Sequence, residues 1–311
     1  MPLGIDPKVD FAFKLMLGSP EHPAVTIHFL NAILRLDVPV TDVTILNPIH
    51  EKKDRPDDKV VVLDILAKDS QGRRFNVEMQ TTRQVDLPRR LLYYSSLTYG
   101  RQIREGQYYT DLRPVLSICV LDEIMFAKPA YPWYHHSFRL RCDQADLIFT
   151  NDLEFHILEL PKFTPSSDNI GSLPAEEKWL YLLRHADTMD ADQLADLLVD
   201  PPYQEAIGVL DMISNNPEDL QFYEARLKFL RDQHSQIEAA EQEGEARGRR
   251  IGLEAGREEG REEGMVAGKI QLLQELLGDR IASKLELLAK PLVDLESQLA
   301  QLQQRLRNRD A

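Results

Sequence analysis

Cysteine is nearly absent from this chain of 311 residues, and its scarcity removes two classes of protein at once. Cys119 and Cys142 each sit inside an apolar run, with no CxxC spacing, so neither a disulfide framework nor a zinc knuckle is indicated and a reducing compartment fits. No apolar run approaches the roughly 20 residues that cross a bilayer, and MPLGIDPKVD lacks the basic-then-apolar pattern of a secretory leader. The expectation is a cytoplasmic protein with no membrane partner. There is no phosphate-cradling GxxxxGK[ST], and His135, His136 and His156 lack metal-ligand spacing with either cysteine. No aromatic residue follows Phe229, which leaves the last quarter little with which to build a core. Basic charge is in short supply as well: 37 Lys and Arg stand against 51 Asp and Glu, a net charge of −14. A wholly basic nucleic-acid coat is thereby excluded, but a local one is not. Between residues 50 and 105 basic residues outnumber acidic ones, among them Lys52, Lys53, Arg55, Arg73, Arg74, Arg83, Arg89, Arg90, Arg101 and Arg104.

What is present is an apolar fraction of 43%, enough for one large core or two smaller ones. Residues 9–36 carry apolar side chains at helical spacing, with a break at Gly18-Ser19-Pro20. VTILNP (43–48) reads as a short strand, and VVVLDILAKDSQGRRFNVEMQ (60–80) as a hairpin turning at Gly72. DLPRRLLYYSSLTYGRQIREG predicts a helix capped by Asp86, with Pro88 in its first turn and its end at Gly106. PVLSICVL (114–121) has the continuous apolar pattern of a strand buried on both faces. SFRLRC (137–142) and LEFHILEL (153–160) extend the sheet, and after about residue 170 the pattern is helical. The expected domains are 1–168 around the sheet, 169–235 helical, 236–270 a helical segment or flexible tether with glycine at every fourth position, and 271–311 as a helical, coiled-coil-like tail.

The hairpin carries the chemistry. Alternation puts Asp64 among Val60, Val62 and Leu66 on one strand, and Asn76, Glu78 and Gln80 together on the next. A turn centred on Gln71 sets Asp64 opposite Glu78, with Cβ atoms about 4.5–5.5 Å apart; a register shifted by one would turn Glu78 away. Facing carboxylates repel unless one takes a proton or a divalent cation joins them. The row 76, 78, 80 can equally be the solvated face of an edge hairpin, and Asp64 can be balanced by Arg89 or Arg90.

Helix, three strands, helix, strand, with Asp64 on the second strand and Glu78-x-Gln80 on the third, resembles the PD-(D/E)XK nuclease superfamily. DPKVDFAFKLMLG, HFLNAIL, RRLLYYSSLTYGRQIREGQYYTDLRPVLSICVLD, LEFHILELPKF and FYEARLKFLRD look like segments of its Rpn group, the recombination-promoting nucleases and PD-(D/E)XK transposases, over residues 5–235. The resemblance implies a restriction-endonuclease-like αβββαβ core, α/β in class with a mixed sheet, followed by a helical region and a long C-terminal helical tail. It also implies a metal-dependent endonuclease that hydrolyses DNA phosphodiester bonds in recombination, transposition or defence against mobile DNA. Asp64 and Glu78 would be the metal ligands, for Mg²⁺ or for Mn²⁺ or another divalent cation. Gln80 would stand where the superfamily has lysine, and Asp10 would match an auxiliary acid. Because an amide carries no charge, the Lys-to-Gln change moves electrostatic work elsewhere. Arg89, Arg90, Tyr93, Arg101 and Arg104 form a cation–aromatic set suited to DNA. A non-catalytic DNA-binding or assembly protein on the same scaffold is the alternative. Glycines 244 to 268, spaced by four, and the leucine-periodic end suggest a homo-oligomer through the tail.

Overall fold

The computed structural model describes residues 2–46, 64–82, 86–127 and 129–309. The polar stretch after Pro48, residues 60–63 at the start of the apolar strand, and Arg83 lie outside them. The chain divides into two compact units, residues 1–232 and 233–311.

In the first unit the predicted helical start is two helices, α1 (Asp10–Leu17) and α2 (Pro23–Leu34), broken where Gly18 to Pro20 predicts it. Ala12, Phe13, Met16 and Leu17 of α1 are buried, which leaves Asp10 and Lys14, one turn apart, at the flank of the helix. Six strands follow: β1 (Thr44–Ile45), β2 (Ile65–Lys68), β3 (Arg74–Gln80), β4 (Val115–Leu121), β5 (His135–Arg141) and β6 (Ile148–Glu159). They form one mixed sheet in the order β1-β2-β3-β4-β6-β5, in which β3, β4 and β6 are parallel and the other neighbours antiparallel.

The β2–β3 register follows the predicted turn. Ile65 pairs with Val77, Leu66 with Asn76, Ala67 with Phe75 and Lys68 with Arg74. Gly72 closes the turn at φ +82°, and a Cβ there would meet the Arg113 side chain at 3.0 Å, so the position is restricted by both conformation and space.

The two faces of the sheet differ. On one, α1, α2, α4 (Ala175–His185), α5 (Ala191–Leu197), α6 (Pro201–Asn215) and Tyr223 of α7 (Pro217–Leu277) join Phe75, Val77, Met79, Leu116, Ile118, Val120 and Leu158 in the main core. The other face is covered by α3 (Leu87–Gly100), which lays Leu87 and Leu91 on Cys119, Leu121 and Ile157, and Tyr94 on Leu66. Burying each leucine is worth roughly 1.5–3 kcal/mol. Pro88 lies in the first turn of α3 as expected, but Asp86 makes no side-chain cap. The helix also stops at Gly100 rather than Gly106. The chain is drawn away there by Gln102, which exchanges two hydrogen bonds with the Arg113 backbone just before β4, at 2.8 and 2.9 Å.

In the second unit, Val266, Ala267 and Ile270 of α7 share a small apolar core with Leu287 of α8 (Lys284–Leu288) and Leu295 and Leu302 of α9 (Leu292–Arg309). The glycine ladder lies inside α7, which is helical throughout, and a Cβ added at any glycine from 244 to 268 would meet no neighbour within 4 Å. The mixed sheet with helices on both faces and long C-terminal helices is the α/β architecture that the sequence implies.

A candidate metal centre at the β2–β3 hairpin

Glu78 lies at the middle of β3 on the face beneath α3, and only 2% of it is exposed. Asn76 donates to its Oε1 at 3.2 Å, Gln80 reaches its Oε2 at 3.4 Å, and Arg90 of α3 approaches Oε2 at 3.5 Å. Asp64 immediately precedes β2, and continuing the observed register by one step places it across from Glu78. Its Oδ2 accepts the Met79 backbone N–H at 3.1 Å, which ties the side chain to β3, and its Oδ1 lies 3.1 Å from the Lys14 ammonium. Asp64 thus takes a cation from α1, where the sequence offered Arg89 or Arg90.

Burial first, and the neighbouring Asp64 charge second, push the Glu78 carboxyl up to about 7; Asn76 and Arg90 offset this only in part. A carboxylate pair this poorly balanced is suited to a divalent cation. Two further features agree. Among the described residues the buried Asn76 Oδ1, on the side chain that donates to Glu78, has no hydrogen-bond partner. In addition, a protein cation, Lys14, already stands at Asp64 Oδ1, so that oxygen accepts a positive charge. No three His, Cys, Asp or Glu side chains among the described residues are placed to hold a metal ion. Mg²⁺ typically takes one or two carboxylates from protein while water and phosphate oxygens complete its shell.

Asp10 is linked to Asp64 through Lys14, which contacts both carboxylates. Arg226 of α7 grips Asp10 through two hydrogen bonds, at 2.8 and 2.6 Å, and Lys14 approaches at 3.7 Å. Sequence reading missed both cations. Lys14 was detectable only as the i+4 partner of Asp10, a signal common to many solvated helices.

The predicted cation–aromatic set separates into three groups. Arg89 and Tyr93 are exposed one turn apart on α3, next to the exposed Leu92. Arg90 turns inward, over the Tyr94 ring at 5.7 Å and toward Glu78. Arg101 and Arg104 follow the end of α3, with Arg101 half-buried and Arg104 exposed.

Residues 7–240 match the family model for the PD-(D/E)XK nuclease family transposase. The chain belongs to that family. No curated protein and no solved structure matches it. Membership accounts for the αβββαβ order around the hairpin and gives the protein a nuclease- or transposase-like role with DNA as the implied substrate. PD-(D/E)XK nucleases generally use divalent metal ions. No helix among the described residues is long and apolar enough to cross a membrane.

Proposed function

We propose that this family member is a divalent-metal-dependent endonuclease that hydrolyses DNA phosphodiester bonds. The observation that carries the proposal is the crowding of Asp64 against a buried Glu78 whose carboxyl is pushed up to about 7, in the αβββαβ setting of a PD-(D/E)XK nuclease. Asp64 and Glu78 would hold the cation, with Mg²⁺ as the first candidate. When bound, that cation supplies Lewis-acid polarisation of the phosphoryl oxygen and an activated nucleophile at neutral pH. Met79 N–H fixes the Asp64 side chain against β3. Gln80, half-buried on the same strand face as Glu78, orients the attacking water with its amide. The exposed Arg89 and Tyr93, with Arg101 and Arg104 beyond the helix end, contact phosphates and stack on bases, while Arg90 holds Glu78 in place.

Nicking of supercoiled plasmid by the full chain tests this. Mg²⁺ should support nicking and EDTA should stop it. Asp64→Ala should lower the rate by at least about a hundredfold, the scale on which one electrostatic group at a reacting centre acts. Equal nicking by wild type and Asp64→Ala would overturn the assignment and leave a DNA-binding or assembly protein on a nuclease scaffold.

The tail has a separate role in this reading. Seven helical glycines, each costing about 0.8–1 kcal/mol against alanine, are expensive unless close approach of another helix recovers the loss. Residues 236–311 therefore promote self-association. Light scattering should give a larger mass for the full chain than for a monomer, and a monomeric mass with the tail present would remove this role.

A further inference from the structure

The strand position two residues after Glu78, where the superfamily resemblance puts a lysine, holds Gln80, which brings no charge to a phosphate. We infer that Lys14, on the first helix, supplies that positive charge from the opposite side of Asp64, and that it competes with the metal for Asp64 Oδ1. The inference rests on the nuclease reading above.

The contacts around Lys14 make the case. Asp64 Oδ2 accepts the β3 backbone N–H of Met79, and the Lys14 ammonium lies 3.1 Å from Oδ1. Lys14 also has a second anchor, Asp10, one turn back on α1 at 3.7 Å, and Arg226 holds that carboxylate rigidly through both of its oxygens. A dication taking Oδ1 would repel the ammonium, and the flexible four-carbon stem lets it retreat toward Asp10 without leaving the site. From there its charge would remain within the site to stabilise negative charge developing on a bound phosphate.

Arg90 is the competing candidate. Its guanidinium is seated over Tyr94 and directed at Glu78, and its side chain is 22% exposed against 35% for Lys14. It is the less accessible of the two to an incoming phosphate. The helix that carries Lys14 is fixed by Phe13, Met16 and Leu17 in the main core, so the lysine is offered by a rigid element.

The test uses the full chain as Lys14→Gln, Gln80→Lys and the double variant, with two readouts. In single-turnover plasmid nicking with Mg²⁺, Lys14→Gln should be slower by roughly a hundredfold, and adding Gln80→Lys should restore most of the rate, because the charge returns by the other route. A purely structural Lys14 would show no such rescue. In Mn²⁺ titration followed by electron paramagnetic resonance, Lys14→Gln should bind Mn²⁺ several-fold more tightly than wild type, because a competing cation has gone. A wild-type rate in Lys14→Gln, or a double variant no faster than the single, overturns the inference. So does equal Mn²⁺ affinity in the two proteins, and this readout decides even if wild type fails to nick DNA. That failure by itself would count against the nuclease reading and not against the placement of Lys14.

Discussion

Two clusters of buried charge lie on opposite faces of the same sheet, and they are balanced in opposite ways. Beneath α3, Arg90 approaches Glu78 at 3.5 Å but does not offset its burial and the Asp64 charge, and the Glu78 carboxyl is pushed up to about 7. At the other edge, a chain of contacts runs from Arg35 to Glu176 at 2.6 Å, to His135 at 2.7 Å, to His156 at 2.8 Å, to Glu154 at 3.0 Å, and ends at Arg139, 2.6 Å from Glu154. Burial pushes Glu154 and Glu176 up as well, but the hydrogen bonds and charges of His156 and Arg139, and of His135 and Arg35, outweigh it and hold both carboxyls below the usual range. The second cluster ties α2 and α4 to the β5–β6 edge and lines a cavity of about 440 Å³. The comparison separates a buried carboxylate that is satisfied from one kept short of positive charge. Burial alone does not single out a candidate site; burial with incomplete compensation is what distinguishes Glu78 from Glu154 and Glu176.

The sharpest way to break the comparison is to remove one acid from the balanced cluster. Glu154→Ala leaves His156 buried and Arg139 without its partner, and should destabilise the first unit by about 3 kcal/mol, the low end for a broken buried pair because Arg139 keeps access to water. Trp133 and Trp179, the two tryptophans of the chain, both lie in that unit, so fluorescence during urea unfolding reads it directly. The same variant should nick plasmid at close to the wild-type rate where it remains folded. A loss of nicking as large as that of Asp64→Ala, with the fold intact, would show that the two clusters are not separate in function.

Much of the hairpin was legible because its signals are local. Period-two alternation and a glycine turn fix which residues face one another, so the pairing of Leu66 with Asn76, and by extension of Asp64 with Glu78, follows from counting. The break between α1 and α2 was legible for the same reason. What could not be read joins residues far apart in sequence. Lys14 meets Asp64 fifty positions on, Arg226 meets Asp10 from α7, and Glu176 meets His135 from α4. Nothing in LPRRLL distinguishes Arg90, which turns in to Glu78, from Arg89, which faces solvent; only the placement of α3 on the sheet does so. Asp86 had the residue type of a helix cap, but its side chain does not take that geometry. The glycine ladder was open between helix and tether by propensity, since each glycine weakens a helix that its neighbours continue.

A smaller effect sharpens the other half of the comparison. An acid whose carboxyl is higher in the folded than in the unfolded chain binds its proton more tightly when folded, so ionising it costs stability. For Glu78 that cost accumulates as pH rises from about 4.5 to about 7 and persists above. At 1.36 kcal/mol per unit the ceiling is about 3 kcal/mol. Because Glu78→Gln also gives up the contact with Arg90, a net gain of about 1–2 kcal/mol is expected from it at pH 8 in EDTA, against little or none at pH 5. Urea unfolding at the two pH values measures the difference. Equal effects at both would mean that Glu78 is as well compensated as Glu154. Adding Mn²⁺ at pH 8 should then stabilise the natural chain and leave Glu78→Gln nearly unmoved, because a dication replaces the charge that the fold withholds.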